Sequence, residues 1–245
     1  MIFGVLSTPQ GSAPGYTLAP PSPYARRLPL YTHPSTAVNT PVSHLTHWNF
    51  RDRIQWAWDP IVVAKNSLES PTRTNETSVG GGGTEWGAWF ELKGAEERIT
   101  TPALAYLVDL FISTHLLIPK SERGKLGFRY AMQISHAVQR TEWLNLCSWF
   151  ATVTLTIEFK FPIPTTIEFA RRTVGLYSSS RYINEPRGRH DTYVEVWTAP
   201  SNIGEGKEEA GWRDKQVCLA NSTQMSVVVP RPRSVFEQQS EIVRL

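Results

Sequence analysis

The sequence predicts an α+β fold in which an antiparallel sheet wraps around one long central helix, preceded by an irregular N-terminal extension. Two observations carry that expectation. Residues 100–119 form a single apolar stretch that opens on Thr100, Thr101 and Pro102 and closes on Pro119, residue types that cap, start and stop helices. Residues 150–229 then hold several strand patterns in succession, with no helical period between them.

Taken in order, residues 1–41 contain eight of the 18 prolines and no acidic residue, the composition of a linker or extended tail. Trp48, Phe50, Arg51, Arg53, Trp56 and Trp58 follow as an aromatic and basic cluster. Stacking on nucleic acid is one reading of it; an aromatic segment draped over a core is the commoner one. Residues 67–83 end in four glycines and read as a flexible loop, so the folded unit is expected to begin at Thr84. The expected boundaries are an extension over 1–83, a domain over 84–232 and a tail over 233–245.

Residues 84–93 read as a strand. In the helix that follows, Leu104, Leu107, Val108, Phe111 and Ile112 keep the three-and-four spacing, and Ala105, Tyr106, Leu110, Leu116 and Leu117 fill the other sides. Apolar nearly all round, it is expected to be buried. It is shorter than the ~20 apolar residues of a membrane span. Asp109 is the one formal charge between Arg98 and Lys120, and a carboxylate there needs donors or a solvent-filled site. Residues 128–148 have weak helical spacing and read as an insertion. Residues 150–161 alternate Val153, Leu155, Ile157, Phe159 and Phe161 with Thr152, Thr154, Thr156, Glu158 and Lys160, so the first set is expected to face the core. Strand patterns over 166–178, 189–198 and 215–229 complete the sheet. The last of them sets Gln216, Cys218, Ala220, Ser222, Gln224 and Ser226 on a small or polar face.

Composition narrows the function. Basic and acidic residues number 25 and 22, a net charge of +3 with nine tryptophans in 245 residues, too even a balance to predict nucleic-acid binding. Two cysteines and six histidines without paired-ligand spacing supply neither a disulfide framework nor a metal quartet. No secretory signal is read at the start, and a reducing, cytoplasmic setting without metal or cofactor is expected. No GxSxG elbow occurs for a serine hydrolase. His115 is the sole candidate for a dehydratase histidine near the helix, and it reads better as a core or helix-end residue.

Three motifs, Leu104-Ala-Tyr-Leu-Val-Asp109, Ala151-Thr152-Val-Thr-Leu-Thr-Ile-Glu-Phe-Lys-Phe-Pro162 and Ala220-Asn-Ser-Thr-Gln224, resemble the C-terminal hotdog of the type II acyl-CoA thioesterases and related thioesterase-like proteins over about 84–230. The resemblance implies a hotdog fold, and it implies that Asp109, Thr152 and Gln224 hold an attacking water, with Asp109 as general base and the other two orienting it. Thr152 read alone belongs to a threonine-rich solvated face, and Gln224 alone fills a polar strand position. Proteins of this type carry two hotdogs, and residues 11–23 look like the link between them. Without the first, a homodimer or another hotdog partner is expected to close the acyl site. The substrate expected is an acyl-CoA or acyl-carrier thioester, with Arg181, Arg187 and Arg189 placed to meet nucleotide phosphates or to form a solvated turn. A non-catalytic acyl-thioester-binding subunit and a tailoring thioesterase for carrier-bound chains are the alternatives.

Overall fold

A computed structural model of the chain describes residues 22–41, 49–72, 83–119, 121, 148–183 and 188–230. Six strands, β1 (Ile54–Trp58), β2 (Gly83–Leu92), β3 (Ser148–Phe159), β4 (Thr173–Tyr182), β5 (His190–Thr198) and β6 (Cys218–Pro230), form one sheet in the order β1-β2-β4-β5-β6-β3. Every neighbouring pair is antiparallel. Although β2 and β3 follow one another in sequence, β4, β5 and β6 lie between them. The chain therefore crosses the sheet from β2 to β3, and the crossing carries the helical segment. This is the hotdog arrangement expected from the sequence.

The helix itself differs from expectation. In place of one helix over 100–119 there are two short ones, α2 (Thr101–Leu107) and α3 (Thr114–Leu117), following the short α1 (Pro60–Ala64) that precedes β2. Thr100 and Pro102 start α2 as anticipated, although the Thr100 side chain makes no capping bond. The break has an identifiable contribution from far along the chain: the Ser222 hydroxyl of β6 donates to the Val108 carbonyl at 2.9 Å. That carbonyl would accept from Ile112 in a continued helix; capping it from the sheet satisfies the orphan acceptor and favours the helix stopping there.

Each face of the sheet has its own core. On the helix face, Leu104, Leu107 and Val108 pack with Trp56, Trp86, Phe90, Leu176 and Val196, each large side chain stabilising by ~1.5–3 kcal/mol on burial. On the outer face, Leu28, Leu30, Trp89, Trp197 and Trp212 form a second cluster. The leucines come from the segment expected to be linker. Gly175 makes room for Leu28 and Leu30, and a Cβ on Gly87 would lie 2.5 Å from Leu30 Cδ2. Asp59 holds the segment down by accepting from the Tyr31 and Thr32 amides at 2.6 and 2.8 Å, while its other oxygen caps α1. The sheet therefore begins before Thr84: β1 pairs with β2 from Ile54↔Leu92 to Trp58↔Ala88, so Trp56 and Trp58 of the aromatic cluster belong to a strand and face the helix. Arg51 and Arg53 form a 3-10 turn before it, and Trp48 lies outside the described residues.

The apolar side of β3 is not the closed core face its alternation predicts. Leu155 is 39% and Phe159 53% exposed, because β3 is the outermost strand on its side of the sheet and only Ile157 of the expected set packs, in part, against the helix-face cluster. The insertion expected over 128–148 lies outside the described residues, Ser148 excepted.

Candidate active site

Pairing across the sheet sets three strands' side chains in register. Gln224 of β6 stands opposite Thr192 of β5 and Leu155 of β3, and Ser226 stands opposite His190 and Thr152. In an unbroken strand Thr152 and Leu155 would point to opposite faces. The register of β3 against β6 shifts between Thr152 and Thr154, a bulge at Val153 that adds one residue and returns Thr152 to the helix face. Its hydroxyl then donates to Gln224 Oε1 at 3.2 Å. The threonine-rich outer row seen in the sequence holds Thr154 and Thr156 but loses Thr152.

Asp109 lies just past the end of α2, its amide donating to the Tyr106 carbonyl at 3.1 Å. It is solvent-exposed on one side, and the packing on its other side raises its carboxyl pKa above the usual range by desolvation, against a smaller lowering from the Gln224 amide. Gln224 is 3% exposed and its Nε2 makes no formed hydrogen bond. The three residues expected from the sequence therefore gather where the end of α2 meets β6 and the bulge of β3.

The arginines do not join them. Arg181 is exposed at the end of β4, opposite Asp191, and strand alternation puts it on the outer face. Arg189 precedes β5, half-buried, and Arg187 lies outside the described residues. Among the described residues no group of His, Cys, Asp and Glu is spaced to hold a metal, and no helix is long and apolar enough to cross a membrane.

The sequence reading missed a polar row beside the trio. His190 and Thr192 of β5 and Ser178, Ser180 and Tyr182 of β4 share the helix face, all but Tyr182 buried to 1–2% exposure. Ser180 and Thr192 hydroxyls bond at 2.9 Å. His190 Nδ1 lies 3.2 Å from the Gly188 carbonyl, an acceptor only, so Nδ1 carries the proton and Nε2 is the acceptor; burial keeps its pKa low despite that bond. The available signal was polar residues at period two, Ser178 and Ser180 continuing the face of Leu176, and His190 and Thr192 preceding Val194 and Val196 on the same face.

Compared with known proteins, the chain matches the family model described as acyl-CoA thioesterase C-terminal domain over residues 34–201, well over half its length. Asp109 and Thr152 fall inside that stretch and Gln224 beyond it. No curated protein sequence matches. Among solved structures, a candidate thioesterase II from Thermobifida fusca YX is 18% identical with a TM-score of 0.41, covering 89% of this chain and 57% of its own. A hot dog fold protein from Alicyclobacillus acidocaldarius is 14% identical with a TM-score of 0.42, covering 94% and 59%. An acyl-CoA thioesterase II from Mycobacterium marinum is 12% identical with a TM-score of 0.43, covering 90% and 60%. The chain thus spans about three fifths of the length of these structures. On the strength of the family match, and with the sheet order seen above, the chain belongs to the acyl-CoA thioesterase C-terminal domain family.

Proposed function

We propose that the chain hydrolyses acyl-CoA or a related acyl thioester by direct attack of water. Asp109 takes a proton from the water as its oxygen bonds to the thioester carbonyl carbon, and Thr152 and Gln224 fix the water's position. The tetrahedral intermediate collapses by breaking the C–S bond, and the thiolate leaves with a proton, giving a free acid and a thiol. The single observation that carries this reading is the Thr152–Gln224 bond beside a carboxyl of raised pKa. A general base works best with its pKa drawn toward the operating pH, and desolvation moves Asp109 in that direction.

The same proposal assigns Arg181, Arg187 and Arg189 to nucleotide phosphates, the cytoplasm as the setting, and a second hotdog as partner, in a homodimer or another assembly. The partner is supported by Leu155 and Phe159, exposed on an edge strand, since a stretch of bare apolar surface marks an interface. Free-thiol release from a panel of acyl-CoAs, run for wild type and Asp109→Asn with the oligomeric state recorded, is the test. Hydrolysis abolished in a folded variant is the expected result; a wild-type chain that is folded, assembled and inert overturns the proposal.

A further inference from the structure

The helix face is divided in two by the end of α2. Leu104, Leu107 and Val108 cover the apolar half, where Ala88, Leu176, Val196 and Ala220 meet across the strands. Past Leu107 the same face turns polar, and Thr84, Ser180, Thr192 and Gln224 stand in register on β2, β4, β5 and β6. At ~4.8 Å between strands this row runs roughly 14 Å inward from the candidate site. The next row includes Tyr182 and His190.

This half of the face holds polar atoms that nothing satisfies. Thr84 Oγ1 and Tyr182 Oη are buried without a hydrogen bond. Buried side-chain polar atoms are mostly paired, and leaving one unpaired is costly. Two in one patch, with the Nε2 lone pair of His190 beside them, describe a surface shaped for oxygen atoms. A saturated alkyl chain laid along it would leave every one of them unpaired.

We propose that the acyl group of the substrate is oxygenated, carrying hydroxyl or keto oxygens that the Thr84–Ser180–Thr192–Gln224 row and Tyr182 bind. The inference rests on the thioesterase reading and narrows its substrate class. The row is assigned to the acyl part because Ser180, Thr192 and Gln224 are buried to 1–3% exposure, whereas the arm of a thiol carrier must run out to solvent. A site built to bond a substrate hydroxyl discriminates strongly against an analogue without one, because its own polar groups are then stranded.

The test compares octanoyl-CoA with 3-, 5- and 7-hydroxyoctanoyl-CoA, four thioesters with the same carrier arm. At least one hydroxy substrate is expected to exceed octanoyl-CoA in kcat/KM by about tenfold or more, the equivalent of one bond of ~1.4 kcal/mol. In Thr192→Val, which keeps the shape and removes a hydroxyl, that ratio falls toward one. Octanoyl-CoA equal to or better than every hydroxy substrate overturns the inference while leaving the thioesterase reading intact; so does a Thr192→Val effect of equal size on all four, which assigns the row to the carrier arm or to the fold. If no thioester is cleaved, calorimetric binding of octanoate and the hydroxyoctanoates decides independently. Tighter binding of a hydroxy acid sustains the inference, and equal or weaker binding overturns it.

Discussion

Glu195 on the outer face and Gln224 on the helix face are almost equally buried, at 2% and 3% exposure, and their surroundings are opposite. Both Glu195 oxygens are engaged, by Arg26 Nε and Nη2 at 3.0 and 2.9 Å and by the Trp197 indole at 3.0 Å. Glu91, also on the outer face, accepts from Thr173 Oγ1 at 3.1 Å and the Ile203 amide at 2.6 Å, with Arg172 at 3.2 Å. Even the outer-face groove of about 630 Å³ beneath Tyr24 and Tyr31 is lined by cations that already have partners: Arg26 with Glu195, Lys65 with Glu85 and Arg27 with Asp214. Gln224 leaves its amide nitrogen unbonded, as Thr84 and Tyr182 leave their hydroxyls. Buried polarity that closes on itself fixes structure; buried polarity left open is what a ligand completes.

The contrast predicts that helix-face substitutions remove activity and outer-face substitutions remove stability. The largest effect is expected for Asp109→Asn, with hydrolysis falling by about 10²–10⁴, the usual contribution of a general base. Its stability responds in a definite direction. The folded pKa of Asp109 is raised, so the native state binds the proton more tightly than the unfolded chain, and stability declines as pH rises through that range. Asn removes this dependence, and denaturant titrations at acid and neutral pH are expected to differ less in the variant than in wild type.

Glu195→Ala comes next, at about 2–3 kcal/mol of stability by urea denaturation, reduced from the value for a fully buried pair because the Arg26 head is half in solvent. It strands the Trp197 indole as well. An unchanged unfolding midpoint would break the comparison from the outer side. Gly87→Ala is expected to destabilise by about 1–3 kcal/mol, since the new Cβ meets Leu30 and Val62; Leu30→Ala in the same chain should recover part of the clash.

The smallest stability change belongs to Gln224→Leu, within about 1 kcal/mol of wild type because it removes an unpaired donor as well as an acceptor bond. Its signature is kinetic. Gln224 lowers the Asp109 pKa, so without it the acid limb of the pH–rate profile moves to higher pH. A limb that stays in place would show that Gln224 does not sense the Asp109 charge.

The strands were legible because their alternation has a period of two, and four of them begin or end within a few residues of the expected positions. β4 is the exception at its start, since residues 166–172 form turns before Thr173. β1 was hidden by being five residues long and rich in tryptophan, which reads equally as packing or stacking. The N-terminal segment was hidden by its prolines. Its place depends on Leu28 and Leu30 and on the openings that Gly87 and Gly175 leave for them, a match between residues distant in sequence.

The sequence by itself determined the order of strand, helix and strands, the burial of Leu104, Leu107 and Val108, though not the 47% exposure of Tyr106 between them, and the identity of Asp109, Thr152 and Gln224 as candidates, because each depends on local periodicity or on a motif. Only the tertiary structure decided where the helix stops and which way Thr152 points. The first depends on Ser222 reaching Val108 across 114 positions of chain, and the second on a one-residue bulge against β6. Both are pairings between distant segments, and local propensity carries no information about which distant partner will arrive.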